Sequence, residues 1–259
     1  MRTYCADSIV LRRIDLGEKD RIITIYAREQ GKLSAVAKGA RRPGSKLAGA
    51  SEPLTYARLF LSTGRDLDVL TQAEIRESFT GIKQNISTVA YGIYLLELLS
   101  SFVDERQPNP ELFDTLLSSL YVLESGADPE ITARYFELQL LIDLGYEPHF
   151  DRCLRCDKPI GREKVAFSPA LGGIVCPECG VPPADAIWVP GAATTYARAL
   201  RNIEPQKIKD LKFPPAALRD LGLMLKWHIR YRLEYDLRST DFIDMVAKFD
   251  DNGDLAQMR

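Results

Sequence analysis

Four of the five cysteines in this 259-residue chain fall into two closely spaced pairs. Cys153 and Cys156 enclose two residues, and nineteen residues later Cys176 and Cys179 do the same. Two residues between paired cysteines let one tight turn direct both sulfurs to one ion, and two such turns supply a tetrahedral set of thiolates for Zn²⁺. The spacing therefore predicts one zinc ion per chain, bound by all four side chains.

A closed set of four thiolates has no open position for water or substrate, so the predicted zinc is structural and not catalytic. A zinc deaminase would need a His-x-Glu segment, but His149 and His228 are followed by Phe-Asp and Ile-Arg. A thioredoxin-like redox pair remains a less favoured alternative, because it needs one Cys-x-x-Cys at a strand-to-helix turn. The fifth cysteine, Cys5, is expected to be an ordinary small apolar residue.

Composition predicts a folded protein, because 46% of the residues are apolar. No apolar run approaches the roughly 18 residues of a membrane span, and the amino terminus has no secretory pattern. We therefore expect the protein in the cytoplasm. The formal net charge of −2 conceals an asymmetry, since residues 1–80 carry fourteen Lys and Arg against ten Asp and Glu. This basic segment is expected to meet an anionic partner.

The first eighty residues contain short runs rich in Val, Ile, Leu, Thr and Tyr, separated by turn residues. The predicted strands are Asp7–Ile14, Arg21–Ala27, Lys32–Lys38, Leu54–Ser62 and Asp66–Ala73. Five short strands without room for crossover helices predict a small barrel of the oligonucleotide-binding (OB) type. From residue 81 onward the apolar residues recur with helical period, so the fold class is α+β. We predict a barrel domain of residues 1–80 and a helical domain of residues 81–259, with the four-cysteine lobe inserted at about 149–189.

The segment Lys38–Lys46 follows the third predicted strand and is the best candidate for a ligand-binding loop. It contains glycines and the cations Lys38, Arg41, Arg42 and Lys46, and no acid occurs between Gln30 and Ser51. Such a loop can approach phosphates with backbone N–H groups and charged side chains. The alternative is a solvated loop that only contributes solubility. Secondary DNA-binding candidates are Arg12, Arg13, Lys19 and Arg21.

The same loop partly matches the phosphate-binding P-loop, but its Lys and Ser are in the wrong order and no amphipathic helix is predicted to follow. Nucleotide hydrolysis is therefore not expected. Further along the chain, helices are predicted over Tyr91–Val103, Glu111–Leu123, Asp128–Leu144, Pro190–Asn202 and Pro214–Asp236. The first three should pack on each other, with the third at the centre. Five residues on the last helix are expected to cover the zinc lobe or the helices: Trp227, Ile229, Tyr231, Leu233 and Tyr235.

This order of elements resembles the RecO family of bacterial recombination and repair mediators. The resemblance spans residues 1 to about 235. It is carried by Leu16-Gly-Glu-Lys-Asp-Arg21, Ala37-Lys-Gly-Ala-Arg-Arg42, Arg134-Tyr-Phe-Glu-Leu138, Leu144-Gly-Tyr-Glu-Pro148 and the two Cys-x-x-Cys pairs.

The resemblance implies a non-enzymatic protein, associated with the nucleoid, that binds single- and double-stranded DNA and anneals complementary strands. It also implies contact with RecR and with the acidic tail of single-stranded-DNA-binding protein, and indirect loading of the RecA recombinase. Arg134 is a candidate for contact with that tail, but an arginine that pairs with Glu137 or Glu97 is an equal alternative. A scaffold that binds acidic peptides and an unrecognised zinc enzyme are the competing hypotheses.

Overall fold

The computed structural model describes residues 2–252 of the chain. They form two compact units, of which one contains the chain up to Ser125 together with the segment from Leu237 onward. The other unit is Gly126–Asp236. The predicted boundary at residue 80 falls inside the first unit, and a separate barrel domain of residues 1–80 stays a prediction.

Five strands form a closed barrel in the order β1-β2-β3-β5-β4. Their bounds are β1 Thr3–Leu16, β2 Asp20–Ala27, β3 Gly31–Ala37, β4 Tyr56–Ser62 and β5 Asp68–Glu77. β3 and β5 run parallel, whereas the other neighbouring pairs are antiparallel. This arrangement confirms the predicted five-stranded barrel of the OB type.

The barrel closes because β1 is long enough to pair with two strands. Residues from Thr3 to Ile9 pair with β4, whereas those from Ser8 to Leu16 pair with β2, and the register shifts between Val10 and Arg12. Such an irregularity increases local twist and lets one strand turn a corner. Alternate residues of each strand then point into the barrel and form its hydrophobic core. Members of this core are Ile23, Ile25, Leu33, Ala35, Leu59 and Leu61.

Seven α-helices occur in the described residues. Their bounds are α1 Leu47–Ala50, α2 Ile86–Phe102, α3 Pro110–Glu124, α4 Pro129–Asp143, α5 Ala192–Arg201, α6 Pro215–Leu233 and α7 Arg238–Asn252. Every predicted helix is present, with ends that differ by a few residues. The single turn α1 follows the basic loop directly, where no helix was expected. None of the described helices is both long and apolar enough to cross a membrane.

Helix α7 was missed by the sequence analysis. It packs on α2. The Glu97 carboxylate of α2 accepts hydrogen bonds from the backbone N–H groups of Arg238 and Ser239, at 3.2 and 2.8 Å. A carboxylate at a helix amino terminus satisfies donors that have no partner within the helix. The predicted frayed tail, residues 250–259, begins inside α7, and residues 253–259 lie outside the described part of the chain.

In the second unit, α4 packs on α5 and α6. Asp128 caps α4 by accepting the N–H groups of Glu130 and Ile131, and Gly145, with φ of +76°, ends it as predicted. Ten of its fifteen residues are buried, as expected for a central helix. α4 belongs to the unit of α5 and α6, and a bundle of α2, α3 and α4 stays a prediction. Three short strands complete this unit: β6 Lys164–Ser168, β7 Gly173–Val175 and β8 Ile187–Pro190.

Candidate metal centre and nucleic-acid interface

The four paired cysteines converge in the second unit. Their sulfurs all lie within 4.8 Å of one another. The Sγ–Sγ distances are 3.7 Å for Cys153 and Cys179, 3.6 Å for Cys156 and Cys176, and 3.5 Å for Cys176 and Cys179. Four thiolates at the usual Zn–S distance of about 2.3 Å would stand about 3.8 Å apart in a tetrahedron. The set can therefore hold one metal ion.

The two Cys-x-x-Cys turns share a reversal of the backbone directly after the second cysteine. Each ends with a residue in the left-handed region, Asp157 at φ of +59° and Gly180 at φ of +81°. In the first turn the Asp157 N–H donates to the Cys153 carbonyl at 2.9 Å, and in the second the Cys179 N–H donates to the Cys176 carbonyl at 3.2 Å. The reversal after each pair directs both of its sulfurs to the same side.

Hydrogen bonds to sulfur prepare this set for a cation. Burial favours the neutral thiol of Cys153, but N–H groups such as those of Cys176 and Arg155, at 3.3 and 3.4 Å, lower its pKa to about 6. Bonds with the thiols of Cys156 and Cys176, together with burial and the Cys153 charge, raise the pKa of Cys179 to about 12. Once one thiol has ionised, its negative charge opposes the ionisation of a second. A bound divalent ion would compensate this charge and allow all four thiols to ionise.

Side chains around the cysteines hold the two turns together. Lys158, after the first pair, forms an ion pair with Glu178 inside the second. Arg155 donates from Nη1 to the carbonyl oxygens of Cys179 and Val181 at 3.0 and 2.9 Å. The first pair contacts the β6–β7 hairpin through the backbone, since the Leu154 N–H donates to the Ile174 carbonyl at 2.9 Å, and the second pair follows β7 directly. These contacts fix the two cysteine turns to each other, as is typical of a structural metal site.

The predicted basic loop lies beside the β1–β2 turn. The Gly39 N–H donates to Asp20 Oδ1 at 2.7 Å, and the Arg41 N–H donates to the Lys19 carbonyl at 3.0 Å. The guanidinium of Arg41 also reaches the Gly17 carbonyl at 2.6 Å. Two segments that are distant in sequence thus form one end of the barrel, and Lys19 joins the cations of the loop.

Acids from other segments neutralise three of the predicted DNA-binding arginines. Arg13 pairs with Glu52 at 2.5 Å, and Arg41 lies 3.5 Å from Asp15. Arg21 is the most enclosed: its side chain is 13% exposed and bonds Glu52 and Asp15, together with Ser51 and the Ala48 carbonyl. The loop therefore has acidic neighbours that its own sequence does not contain, and Arg21 ties α1 to the barrel.

The remaining five candidates carry charge that faces water. Within the part of the chain that the structure describes, they are exposed and have no ion-pair partner. They are Arg12, Lys19, Lys38, Arg42 and Lys46. An aliphatic row lies on the outer face of the barrel beside them, formed by Ile14, Ile22 and Val36 in register across three strands. Ile14 is 49% exposed, so this face is open.

Arg134 is buried in α4, with 9% of its surface exposed. Its Nη2 lies 3.0 Å from Oε1 of Glu137, one turn further along the helix. Gly222 of α6 faces the guanidinium, since a Cβ at that position would stand 2.6 Å from Nη1. The pairing expected as an alternative, with Glu137, is therefore present, whereas Glu97 caps α7 instead.

The fold and the two sites define a class of protein. An OB-type barrel with exposed cations is an architecture that many oligonucleotide-binding proteins share, and the four-cysteine lobe is typical of a structural metal centre.

Comparisons with known proteins identify the family. The model for the Recombination protein O N terminal matches residues 1–79, and that for its C terminal matches residues 83–241. The chain belongs to the RecO family. It is 37% identical to the DNA repair protein RecO of Pelotomaculum thermopropionicum, with 96% of each chain covered. It is 34% identical to that of Desulforamulus reducens, again over 96% of each chain, and to that of Roseiflexus sp., over 95% of this chain and 87% of the relative.

Proposed function

We propose that this protein is a non-enzymatic recombination mediator in DNA repair. In this role it binds single- and double-stranded DNA, anneals complementary strands and helps to load RecA onto DNA covered by single-stranded-DNA-binding protein. The observation that carries the proposal is a group of five exposed cations on an OB-type barrel in a RecO-family chain, which have no ion-pair partner among the described residues. Cytoplasmic localisation at the nucleoid is part of the proposal.

The chemistry of that surface suits strand annealing. Lys38, Arg42 and Lys46 offer charge to phosphates, which fixes a strand without occupying its base edges. The neighbouring row of Ile14, Ile22 and Val36 is aliphatic, so it offers no ring on which bases could stack. A strand held in this way keeps its bases available for a complementary strand.

We infer that the four cysteines bind one structural Zn²⁺. The donor set is all sulfur and closed, which suits Zn²⁺ and leaves no position for substrate. This assignment supports the proposal that the protein is not an enzyme, because the metal centre then serves the fold of its lobe.

The proposed partners are RecR and the acidic tail of single-stranded-DNA-binding protein, with RecA as an indirect partner. Arg134 was the candidate for contact with the tail. Its burial and its bond with Glu137 favour a structural role over direct contact with a partner's carboxylates. We place the tail on the helical part of the chain without assigning its residues.

Fluorescence anisotropy with labelled single-stranded DNA tests the barrel assignment. If the five free cations each neutralise one phosphate, log affinity should fall against log salt with a slope of roughly −3.5. A Lys38→Ala, Arg42→Ala double variant should bind roughly tenfold more weakly at moderate salt and reduce the slope to about −2.

Arg65→Ala provides the matched control, because Arg65 is an exposed cation in the β4–β5 loop. That loop adjoins the first residues of β1, and the basic loop adjoins its last residues. A flat salt response, or equal weakening by Arg65→Ala and by the double variant, would contradict the proposed interface.

A further inference from the structure

Aromatic rings and guanidinium groups alternate along the second half of α6. The guanidinium carbon of Arg230 lies 5.7 Å from the centre of the Trp227 ring. That of Arg232 lies 5.0 Å from the Tyr146 ring and 5.8 Å from the Tyr231 ring. Four of these residues lie on α6, and Tyr146 follows α4. We call the five residues the α6 aromatic row.

The row faces water. Tyr146 is 41% exposed and Tyr231 49%, and both arginines are exposed. The sequence predicted that Trp227 and Tyr231 cover other parts of the fold, which is correct for Trp227, whose Nε1–H donates to the Asp185 carbonyl at 2.9 Å. It is wrong for Tyr231. Core packing therefore does not account for the half-exposed rings.

The members of the row are held in place before any ligand binds. His228, buried in the same helix, bonds through Nε2 with the Tyr146 carbonyl at 2.8 Å and so fixes the segment that carries this ring. Arg232 has no carboxylate partner among the residues that the structure describes. The rings of Tyr146 and Tyr231 orient its guanidinium, whose N–H groups can still donate hydrogen bonds to a ligand.

We propose that the α6 aromatic row is a second binding surface for single-stranded nucleic acid, on which unpaired bases stack against the exposed rings while Arg232 contacts a phosphate. The inference rests on the proposed DNA-binding function and adds a site to it. Every base has a π-face, so stacking on tyrosine is independent of sequence. Annealing requires two strands, and this surface supplies a place for one that the barrel does not hold.

The exposed rings of the row, and not the charges around it, favour nucleic acid over an acidic peptide. Glu234 and Asp236 are exposed just beyond the helix, and Arg230 lies 3.5 Å from Asp236. These acids repel phosphates and carboxylates alike, so charge does not separate the two ligands. Only bases gain from stacking on the exposed rings, and Arg232 is the member of the row that would contact a phosphate.

Photo-crosslinking identifies the contact directly. Oligothymidylate that carries one 5-iodouracil is bound to the full chain and irradiated, and crosslinked peptides are sequenced by mass spectrometry. We expect crosslinks at Tyr146, Trp227 or Tyr231. In parallel, a Tyr231→Ala, Arg232→Ala double variant should bind the oligonucleotide roughly tenfold more weakly, with the salt slope changed by no more than about 0.7.

Two control variants separate the loss of stacking from a general loss of apolar surface or of the hydroxyl group. Leu223→Ala removes another exposed apolar side chain from the same helix and should leave affinity unchanged. Tyr231→Phe keeps the ring and should retain binding, which shows that stacking matters and not the hydroxyl group. Thermal unfolding of each variant reports on its fold.

The proposal and the function on which it rests fail in different ways. Absence of crosslinks in the row, or a double variant that binds like Leu223→Ala, overturns the second surface while the barrel variants still lose affinity. Loss of acidic-peptide binding with intact DNA binding assigns the row to a protein partner and also overturns it. A wild-type chain that binds no single-stranded DNA refutes both.

Discussion

Cys153 and Cys176 are the buried members of the cysteine set, whereas Cys156 is exposed. Replacing either buried sulfur removes a ligand where water cannot easily take its place. We expect Cys153→Ser and Cys176→Ser to lose the metal, and wild type to contain one zinc ion per chain by elemental mass spectrometry. A structural zinc can contribute on the order of 10 kcal/mol to the folding of its segment, so the lobe should lose order first.

Cys5 supplies the matched control for this experiment. It is an exposed cysteine of β1, outside the cluster, and Cys5→Ser should leave the metal content unchanged. Hydrogen exchange should show faster exchange in residues 150–190 of the ligand variants and unchanged exchange in the barrel. Retention of zinc by either ligand variant would show that the four sulfurs do not form the predicted site.

The buried pair of Arg134 and Glu137 allows a second prediction at the scale of residues. Arg134→Ala removes the cation next to a carboxylate that is 0% exposed, and should cost about 3 kcal/mol of unfolding free energy. A combined Arg134→Met, Glu137→Leu variant removes both charges and should recover most of this loss. Chemical denaturation measures both. Wild-type stability in Arg134→Ala would refute the structural role and restore Arg134 as a candidate for partner binding.

At the scale of elements, one carboxylate connects several segments of the first unit. Asp68, at the start of β5, has a side chain that is 1% exposed. It accepts hydrogen bonds from the Tyr4 hydroxyl of β1, from the Gly64 N–H at 3.1 Å and from Arg106, after α2, at 3.2 Å. Burial opposes its ionisation, but these donors prevail and lower its pKa. The ionised form is therefore part of the fold.

The lowered pKa of Asp68 predicts how stability depends on pH. Because the unfolded state binds the proton more readily, the contribution of Asp68 is complete above its unfolded pKa of about 3.9 and is lost as pH falls further. Asp68→Asn should cost about 2 kcal/mol at neutral pH, and the difference from wild type should narrow below about pH 4.

Thermal unfolding across this pH range tests the prediction about Asp68. Asp66→Asn, two residues earlier and exposed, is the matched control and should have no effect. A loss of stability in Asp68→Asn that is the same at every pH would show that packing, and not charge, explains it.

Local patterns predicted most elements, because strands and helices here follow the period of their apolar residues. The spacing of the cysteines likewise predicted a metal site that the fold then assembled. What local patterns could not show is which acids meet which arginines. Asp15 and Glu52 reach the predicted DNA-binding residues only because the barrel joins distant segments. Helix α7 did have a signal, since Phe242, Val246 and Phe249 recur at helical spacing.

At the scale of the whole molecule, the second unit is inserted in sequence between α3 and α7 of the first. The chain thus leaves the barrel unit once and returns to it. The apolar period changes near residue 80, so the sequence predicts a boundary there, and this boundary stays a prediction. A change of period marks a change of element, whereas a compact unit is set by contacts between elements that are far apart along the chain.

The proposed mediator function makes a prediction for the complete protein. Annealing of complementary oligonucleotides should be faster with wild type, because phosphate charge that keeps strands apart is neutralised while base edges stay free. The Lys38→Ala, Arg42→Ala variant should lose most of this acceleration, and Arg65→Ala should keep it. Fluorescence energy transfer between labelled strands measures the rate.

Coating the strands with single-stranded-DNA-binding protein separates DNA contact from partner contact. If the acidic tail of that protein recruits this chain, deleting the tail should abolish acceleration on coated strands and leave it intact on naked ones. The two requirements are independent, because the barrel variant fails on both substrates and the tail deletion on one only. Equal acceleration with and without the tail would show that phosphate binding alone accounts for annealing and that the proposed tail contact has no part in it.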